Sequence, residues 1–396
     1  MTESIETVVV DWVIFKVAQR CNLDCSYCYV YNRGDDSWES RPKFISENVA
    51  KAFAQRINEQ CEKYEIPRFM IELHGGEALL LGKQRMQALL DLFRRECKGV
   101  QVDFSLQTNG LLLDEEWLRL LVSNGVGVGI SCDGPPESAD RRRTYRNGRG
   151  STLKLIRTIE HLRQSSSLYN DLNPGILCVV DPTLNGADVV RWFVQHDIQS
   201  FDLLLPNGTY VNLPQDWTGV EPYRRFLLEA FEEWFGMGKD APRIRLFELM
   251  MRGLLGVRPS LDCLGGDLRR LCVIETDGSI GLSDLIRVCG DRFVVDDLNV
   301  FNSPLDAIDP HYGLNELQDP CEECHSCQYF NACGGGLLPH RYDGHSFQNP
   351  SIYCRALYAL ADAAFDRLRT ELPHLTLPTR NGEIVDGPRR EGGVAI

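Results

Sequence analysis

The chain has 396 residues, a formal net charge of −14, 43% hydrophobic and 25% charged residues. This composition is ordinary for a globular protein, with room for two or three domains or for one large α/β domain with an extension. No apolar stretch approaches the roughly 18–20 residues that span a bilayer, and an acidic chain without a basic block argues against nucleic acid as a partner. Neither a membrane nor a nucleic acid is therefore expected. The start, Met-Thr-Glu-Ser-Ile-Glu-Thr, is acidic and lacks the basic-then-apolar pattern of a secretory signal. A cytoplasmic location is expected, where thiols stay reduced.

Residues 8–18 read as a buried strand, and the chain then runs straight into Cys21-Asn-Leu-Asp-Cys25-Ser-Tyr-Cys28. Three thiols within eight residues can hold three irons of a four-iron cluster, and the next cysteine is Cys61. One iron is thereby left without a protein ligand and open to a small molecule. Zinc is the competing reading, but structural zinc wants four closed ligands, and no His lies close to this C-x3-C-x2-C run.

Ser46 reads as the N-cap of a helix over 46–63 with Val49, Ala50, Phe53 and Ile57 on one face. Strands follow over 69–73, 102–106, 126–130, 176–180 and 201–205, with helices over 84–97, 114–124, 151–166 and 185–196 between them. Six alternations of strand and helix imply parallel βα units. Six is short of the eight that close a barrel, so the spacing predicts an α/β fold with a partial, TIM-like (β/α)6 barrel. An open sheet of Rossmann type is the alternative. Each strand ends in residues suited to chemistry: the thiol triad, Gly75-Gly76-Glu77, Gln107-Thr108-Asn109, Ser131-Cys132-Asp133, Asp181-Pro182 and Pro206-Asn207. In parallel βα folds the site lies at the carboxyl ends of the strands. Two successive glycines leave the backbone open to close approach, and hydroxyl, amide and carboxylate groups suit a ribose diol.

Residues 221–255 read as amphipathic helix, a stripe that packs on a core or lines a groove. Of the 15 cysteines, Cys61, Cys97, Cys132 and Cys178 are scattered singly, whereas Cys263, Cys272, Cys289, Cys321, Cys324, Cys327, Cys333 and Cys354 crowd the last third. The single ones behave as small buried hydrophobes; the late ones are too clustered for that. The final segment, 376–396, is rich in Gly and Arg and reads as flexible.

The thiol triad, with Tyr27 just before the last cysteine, resembles the signature of the radical S-adenosyl-L-methionine (AdoMet) superfamily. The resemblance implies that the open iron binds AdoMet and that the pair generates a radical able to take hydrogen from an unactivated carbon. Gly75, Gly76 and Glu77 resemble the element that binds the AdoMet amino group, with Ala78 where Pro is usual. Gln107, Thr108, Asn109, Ser131 and Asp133 match positions that line its methionine and ribose parts.

The late cysteines resemble a SPASM domain, which implies two auxiliary 4Fe–4S clusters. By that resemblance Cys324, Cys327, Cys333 and Cys354 hold one, and Cys263, Cys272 and Cys289 begin the ligand set of the other. Leu337 stands where a further cysteine is usual, so either Cys321 completes that set or one iron stays open. The expected organisation is a barrel core over 1–240, a SPASM domain with bridging helices over 241–375, and the tail.

Asp202 to Pro206, Thr276 to Ser279 before Asp284, Gly334 to Gly336 and Pro339 to Tyr342 look like the FxsB-type maturases, which form three-residue cyclophanes. That implies a ribosomal precursor peptide (leader plus core) as partner, a one-electron reductant such as a flavodoxin or ferredoxin, and a carbon–carbon crosslink as product. Asp284, Asp291 and His340 are the candidate bases. Thioether formation, epimerisation and anaerobic sulfatase maturation share the same framework, and a zinc-stabilised scaffold is the rival of a different class.

Overall fold

The computed structural model describes residues 9–257, 259, 262–294, 297–378 and 384–385. The first strand, β1 (Trp12–Ala18), leads into the cysteine loop, followed by α1 (Glu47–Tyr64), β2 (Arg68–Gly75), α2 (Lys83–Glu96) and β3 (Gln101–Thr108). Then come α3 (Glu115–Ser123), β4 (Val126–Ser131), α4 (Pro136–Arg142), α5 (Thr152–Ser165), α6 (Leu168–Leu172), β5 (Gly175–Val179), α7 (Gly186–Gln195) and β6 (Ser200–Leu204). The six strands lie side by side in chain order and are parallel. A Rossmann sheet would reverse its strand order at a switch point; this one does not, and the partial barrel is the observed architecture.

Strand parity sorts the residues. On β2, Phe69, Ile71 and Leu73 are fully buried against the helices, while Met70, Glu72 and His74 alternate with them on the inner face. Phe15 and Phe69 meet Phe53 of α1 at ring-centroid distances of 4.9 and 6.4 Å, and Phe53 meets Phe93 of α2 at 5.5 Å. Side-chain caps set the helix starts. Ser46 accepts from the Val49 amide at 3.2 Å, Asp114 from Trp117 at 2.9 Å and Asn185 from Asp188 at 3.1 Å.

Three features differ from the sequence expectation. The loop after β4 contains the helix α4, with prolines at its start. The stripe over 221–255 is two helices, α8 (Glu221–Gly236) and α9 (Arg245–Leu254), separated by a two-residue strand, β7 (Arg243–Ile244), which pairs parallel with β6. The first helix ends at Gly236, Gly238 turns the chain with φ +57°, and the apolar faces of both helices are used in the core, through Phe226, Phe231, Phe247 and Met250. Third, β8 (Leu271–Ile274) pairs parallel with β1, and β9 (Ile280–Gly281) antiparallel with β8, so the sheet runs on across the expected boundary at 240. The helix α10 (Cys354–Glu371) packs against α8 and α9. Most of the expected flexible tail, 376–396, lies outside the described residues; Leu377–Pro378 and Ile384–Val385 pair antiparallel.

A buried ionic seam joins the later segment to the barrel mouth. Arg287 donates to Asp35 and Glu275, each at 2.7 Å, and Glu275 also accepts from Gln19 at 2.9 Å. Removing one member of a buried pair typically costs about 3–5 kcal/mol, because the other charge is left uncompensated. Arg287→Met is expected to lower chemical-denaturation stability on that scale, whereas Arg292→Met, at an exposed position in the same segment, should leave it nearly unchanged.

Candidate active site at the carboxyl rim of the barrel

The cysteine loop leaves β1 and turns tightly. The Cys28 amide donates to the Cys25 carbonyl at 3.0 Å, the Asn32 amide to the Cys28 carbonyl at 2.8 Å, and the Leu23 amide to Cys21 Sγ at 3.3 Å. Asn109, from the end of β3, reaches Asn22 at 2.7 Å and lies 3.8 Å from Cys21 Sγ. Burial pushes the thiols up, to about 12 for Cys21 and about 11 for Cys25. As bare thiolates they would be poorly solvated; a coordinating metal deprotonates them and supplies the missing charge balance. Among the described residues no three His, Cys, Asp or Glu side chains surround a point that would hold one ion. Three thiols spread along one loop, with no fourth, suit three corners of a four-iron cluster.

Gly75 and Gly76 are required by packing. A Cβ on Gly75 would stand 2.0 Å from the Ala18 carbonyl oxygen, and one on Gly76 2.6 Å from that of Arg20. Gly75 has φ +148°. The Gly76 and Glu77 amides donate to Ala18 and Arg20 at 2.8 and 3.0 Å, so the end of β2 is laced to the entry of the cysteine loop. The room these glycines leave is filled by protein backbone, where a ligand was expected.

Glu77, Thr108 and Asp133, expected on AdoMet, have their side chains spent on the protein. Glu77 is buried and accepts from the Leu79 amide at 3.0 Å, Thr108 Oγ1 at 2.7 Å and the Asn109 amide at 2.8 Å. It braces the β3 loop that carries Asn109. Asp133 accepts from Tyr27 at 2.6 Å and from the Val179 amide at 3.0 Å, and Tyr27 in turn accepts from Arg143 at 2.7 Å. Arg143, part of a basic run that also reads as an exposed loop, is thus buried beside the cysteine loop. Gln107 and Ser131, hydrogen-bonded at 2.8 Å, lie on the half-open inner face and stay available to a ligand. Gly129 makes room for Gln107, since a Cβ there would stand 2.2 Å from its amide oxygen.

The inner face also holds charges that the sequence pattern hid inside strands. Lys16 of β1, 2% exposed, bonds Asp284 at 2.5 Å and stands 3.2 Å from His74 Nδ1. Tyr29 donates to the same Asp284 oxygen at 3.0 Å. Burial alone would raise the Asp284 carboxyl, but Lys16 and His74 hold it well below the usual carboxylate range. Burial and Lys16 press His74 down to about 4, so its ring is neutral. Glu72, two residues along β2, is pushed the other way, to about 7, by burial and by Asp284 and Asp262, against the pull of Lys16 and Arg245. Two carboxyls driven apart in one cavity are a recurrent source of acid and base roles.

Of the three candidate bases, Asp284 bonds directly within this charged cluster. Asp291 is exposed. His340 is buried against Tyr353, ring centroids 4.7 Å apart, and burial presses it down to about 3, which leaves it a neutral residue at the end of β6.

The late thiols fall into two groups. Cys321, Cys324, Cys327, Cys333 and Cys354 are neighbours: Cys324 bonds Cys321 and feels Cys333 and Cys354, and Cys354 feels Cys327 and Cys321. This donor set fits a thiolate-held cluster. Cys263, Cys272 and Cys289 are not brought together. Cys272, on β8, pairs in register with Val13 of β1, so it shares the outward, helix-covered face and is fully buried there. Cys289 ends a 3-10 turn beside Arg292, and Cys263 lies among Asp262, Asp202 and Arg245.

A model of the Radical SAM superfamily matches residues 15–177. A serine-type anaerobic sulfatase-maturating enzyme of Klebsiella aerogenes is 31% identical over 345 residues, covering 82% of this chain and 78% of its own length. The chain belongs to the radical SAM superfamily. A cysteine-type anaerobic sulfatase-maturating enzyme of Clostridium perfringens (strain 13 / Type A) is 26% identical over 367 residues, covering 88% of this chain and 94% of its own length. In fold, the chain matches the solved structure of native anSMEcpe with bound AdoMet, with a TM-score of 0.77, 24% identity, and coverage of 92% of this chain and 99% of that one. It is a radical SAM enzyme of SPASM type, a superfamily whose cofactors are a 4Fe–4S cluster and AdoMet. The relatives named here are sulfatase-maturating enzymes, so the comparisons support the superfamily and not the FxsB-type branch. Among the described residues no helix is long and apolar enough to cross a membrane.

Two outcomes test this geometry. Gly76→Ala should lose iron from the first cluster on anaerobic reconstitution, while Gly236→Ala, at the helical end of α8 where a Cβ meets nothing within 4 Å, should keep it. For Glu72, a native carboxyl raised to about 7 against roughly 4.3 when unfolded binds more protons in the native state between those values. Stability therefore falls as pH rises through that window. The thermal midpoint of Glu72→Gln should gain on that of the parent from about pH 4.5 to 7 and run parallel above; curves parallel throughout would refute the assignment.

Proposed function

We propose that this radical SAM enzyme oxidises a cysteine or serine side chain in a peptide segment of a protein, in the manner of the sulfatase-maturating relatives. The observation that carries this is the similarity to a serine-type member, 31% identical over 82% of the chain. A peptide substrate is further supported by the related anSMEcpe, which has been solved with AdoMet and a Cp18Cys peptide.

When bound and reduced, the cluster and AdoMet supply a radical that takes a hydrogen atom from a substrate carbon. The remaining work falls to the chain. Cys21, Cys25 and Cys28 would hold the cluster. Asn109 orders the loop around Cys21, and Gln107 with Ser131 offers amide and hydroxyl contacts on the inner face. The proton released on oxidation passes to Glu72, while the Lys16 ammonium keeps Asp284 ionised beside it. The tail thiols Cys321, Cys324, Cys327, Cys333 and Cys354 would hold an auxiliary cluster, which would supply the acceptor for the electron lost on oxidation. An external one-electron reductant of flavodoxin or ferredoxin type starts the cycle.

The segments that pointed to a cyclophane former have structural uses. Asp202 accepts from Arg245 and from the Leu246 amide at 2.7 and 2.9 Å, starting α9. Asp277 accepts from the Ser279 amide at 3.0 Å in the turn before β9, and Gly334 packs on the Leu264–Gly265 backbone, where a Cβ would stand 2.3 Å from the Leu264 oxygen. These residues support the fold in any of the candidate reactions and do not select a product.

The test is product analysis. The reconstituted enzyme is incubated anaerobically with AdoMet, dithionite and a peptide carrying Cys or Ser alongside an aromatic residue. An aldehyde captured by a hydrazine probe at the Cys or Ser position is expected. Loss of two hydrogens with no aldehyde, and a fragmentation gap spanning the aromatic residue, would replace this reading with crosslink formation.

A further inference from the structure

Arg341 is 2% exposed, and a buried guanidinium stays charged because it does not deprotonate in proteins. Its Nε–H donates to the Phe347 carbonyl at 2.9 Å, and its terminal nitrogens donate to the carbonyls of Gln318 at 2.9 Å and Asp319 at 2.6 Å. All three acceptors are neutral. Among the described residues no carboxylate bonds to it, although Arg269 and Arg270, which line the same cavity of about 370 Å³, pair with Asp267 and Asp11. Burying an uncompensated cation costs several kcal/mol, so the fold must place a negative charge nearby.

The surroundings identify it. Gln318 and Asp319 immediately precede Pro320-Cys321, and Arg341 Nη1 lies 3.8 Å from where a Cβ of Gly335 would stand, two residues after Cys333. Arg341 thus spans both thiol-bearing stretches of the tail. The anionic positions that act on it are Cys324 and Cys321, then Asp319 and Cys333. Four thiolates outweigh the charge of a four-iron core, so the site is anionic and becomes more so on reduction.

We propose that Arg341 is the built-in counter-cation of the auxiliary cluster held by the Cys321–Cys354 thiols, and that it raises that cluster's reduction potential so that the cluster can accept an electron. The proposal rests on the auxiliary-cluster assignment. A fixed positive charge beside the cluster favours the reduced, more negative state. The guanidinium also ties the two ligand-bearing stretches together, which an aliphatic residue of the same length would not.

The experiment uses the full-length chain with Cys21, Cys25 and Cys28 changed to Ala, so that only tail clusters assemble. Iron and sulfide are quantified after anaerobic reconstitution, and the reduced-cluster signal is followed by electron paramagnetic resonance during a potentiometric titration. Arg341→Met should titrate at a more negative potential than the parent, and Arg341→Lys should restore most of the shift. Loss of iron in Arg341→Met with retention in Arg341→Lys would equally show that the charge is needed. The proposal is overturned if Arg341→Met titrates at the parent's potential, if Met and Lys shift it alike, or if both lose the cluster, which would make Arg341 a hydrogen-bonding scaffold. A parent chain without iron would instead overturn the auxiliary-cluster assignment itself.

Discussion

The architecture depends on a buried ionic seam at the barrel mouth. A six-stranded partial barrel leaves an edge on β1 and another on β6, and an unpaired edge is a liability that must be covered. Here β8 covers the β1 edge, and the turn that follows β9 carries Asp284 and Arg287 across the opening. Lys16 takes Asp284, while Asp35 and Glu275 take Arg287. Each of these charges is costly to bury alone, yet together they satisfy one another with short, charge-assisted bonds. The seam fixes the later segment in a single position and thereby puts a carboxylate inside the barrel. The proton-handling groups of the site are in this sense a by-product of how the barrel is sealed.

The same economy governs the cysteine loop. Its shape comes less from its own sequence than from what presses on it. Gly75 and Gly76 let β2 approach the Ala18–Arg20 backbone, Glu77 pins the β3 loop, and Asn109 on that loop meets Asn22 and Cys21. On the far side Asp133 and Arg143 clamp Tyr27 between them. The residues at the strand ends act on the metal loop from three directions, which explains why so many polar groups there are already hydrogen-bonded before any ligand arrives.

Much of this was legible in the chain because its signals are local. The six strands and their helices follow from alternation, the cap at Ser46 from its residue type, and the triad from its spacing. What was not legible depends on parity and on distant contacts. Glu72 and Lys16 sit inside apolar runs, and only the strand register shows that they face inward. Cys272 looked like a ligand because it is a cysteine among cysteines; its register with Val13 makes it a core residue. Glu77 was read for ligand binding from its place in a motif, and its three protein donors come from residues that sequence alone could not bring to it. The 221–255 stripe is split at Gly236–Gly238, where Gly238 takes φ +57°, a break that the periodicity of its flanks concealed.

A charge argument unites the thiol sites. An acidic chain that gathers thiolates must supply cations where water is excluded, and titratable groups are poor candidates, since a buried Lys or His can shed its proton to escape the penalty. Arginine cannot. Each thiol environment has one: Arg143 acts on Cys25, Arg245 on Cys263, and Arg341 on the Cys324 set. They are not equivalent. Arg143 shares its charge with Tyr27 and the nearby Asp133, and Arg245 is already matched by Asp202. Arg341 bonds only to carbonyls, so its full charge is left for its surroundings. The cation least compensated by protein stands beside the thiols that are best placed to receive an electron. On the proposal made for Arg341, this difference in partnering is what would favour electron transfer toward the tail.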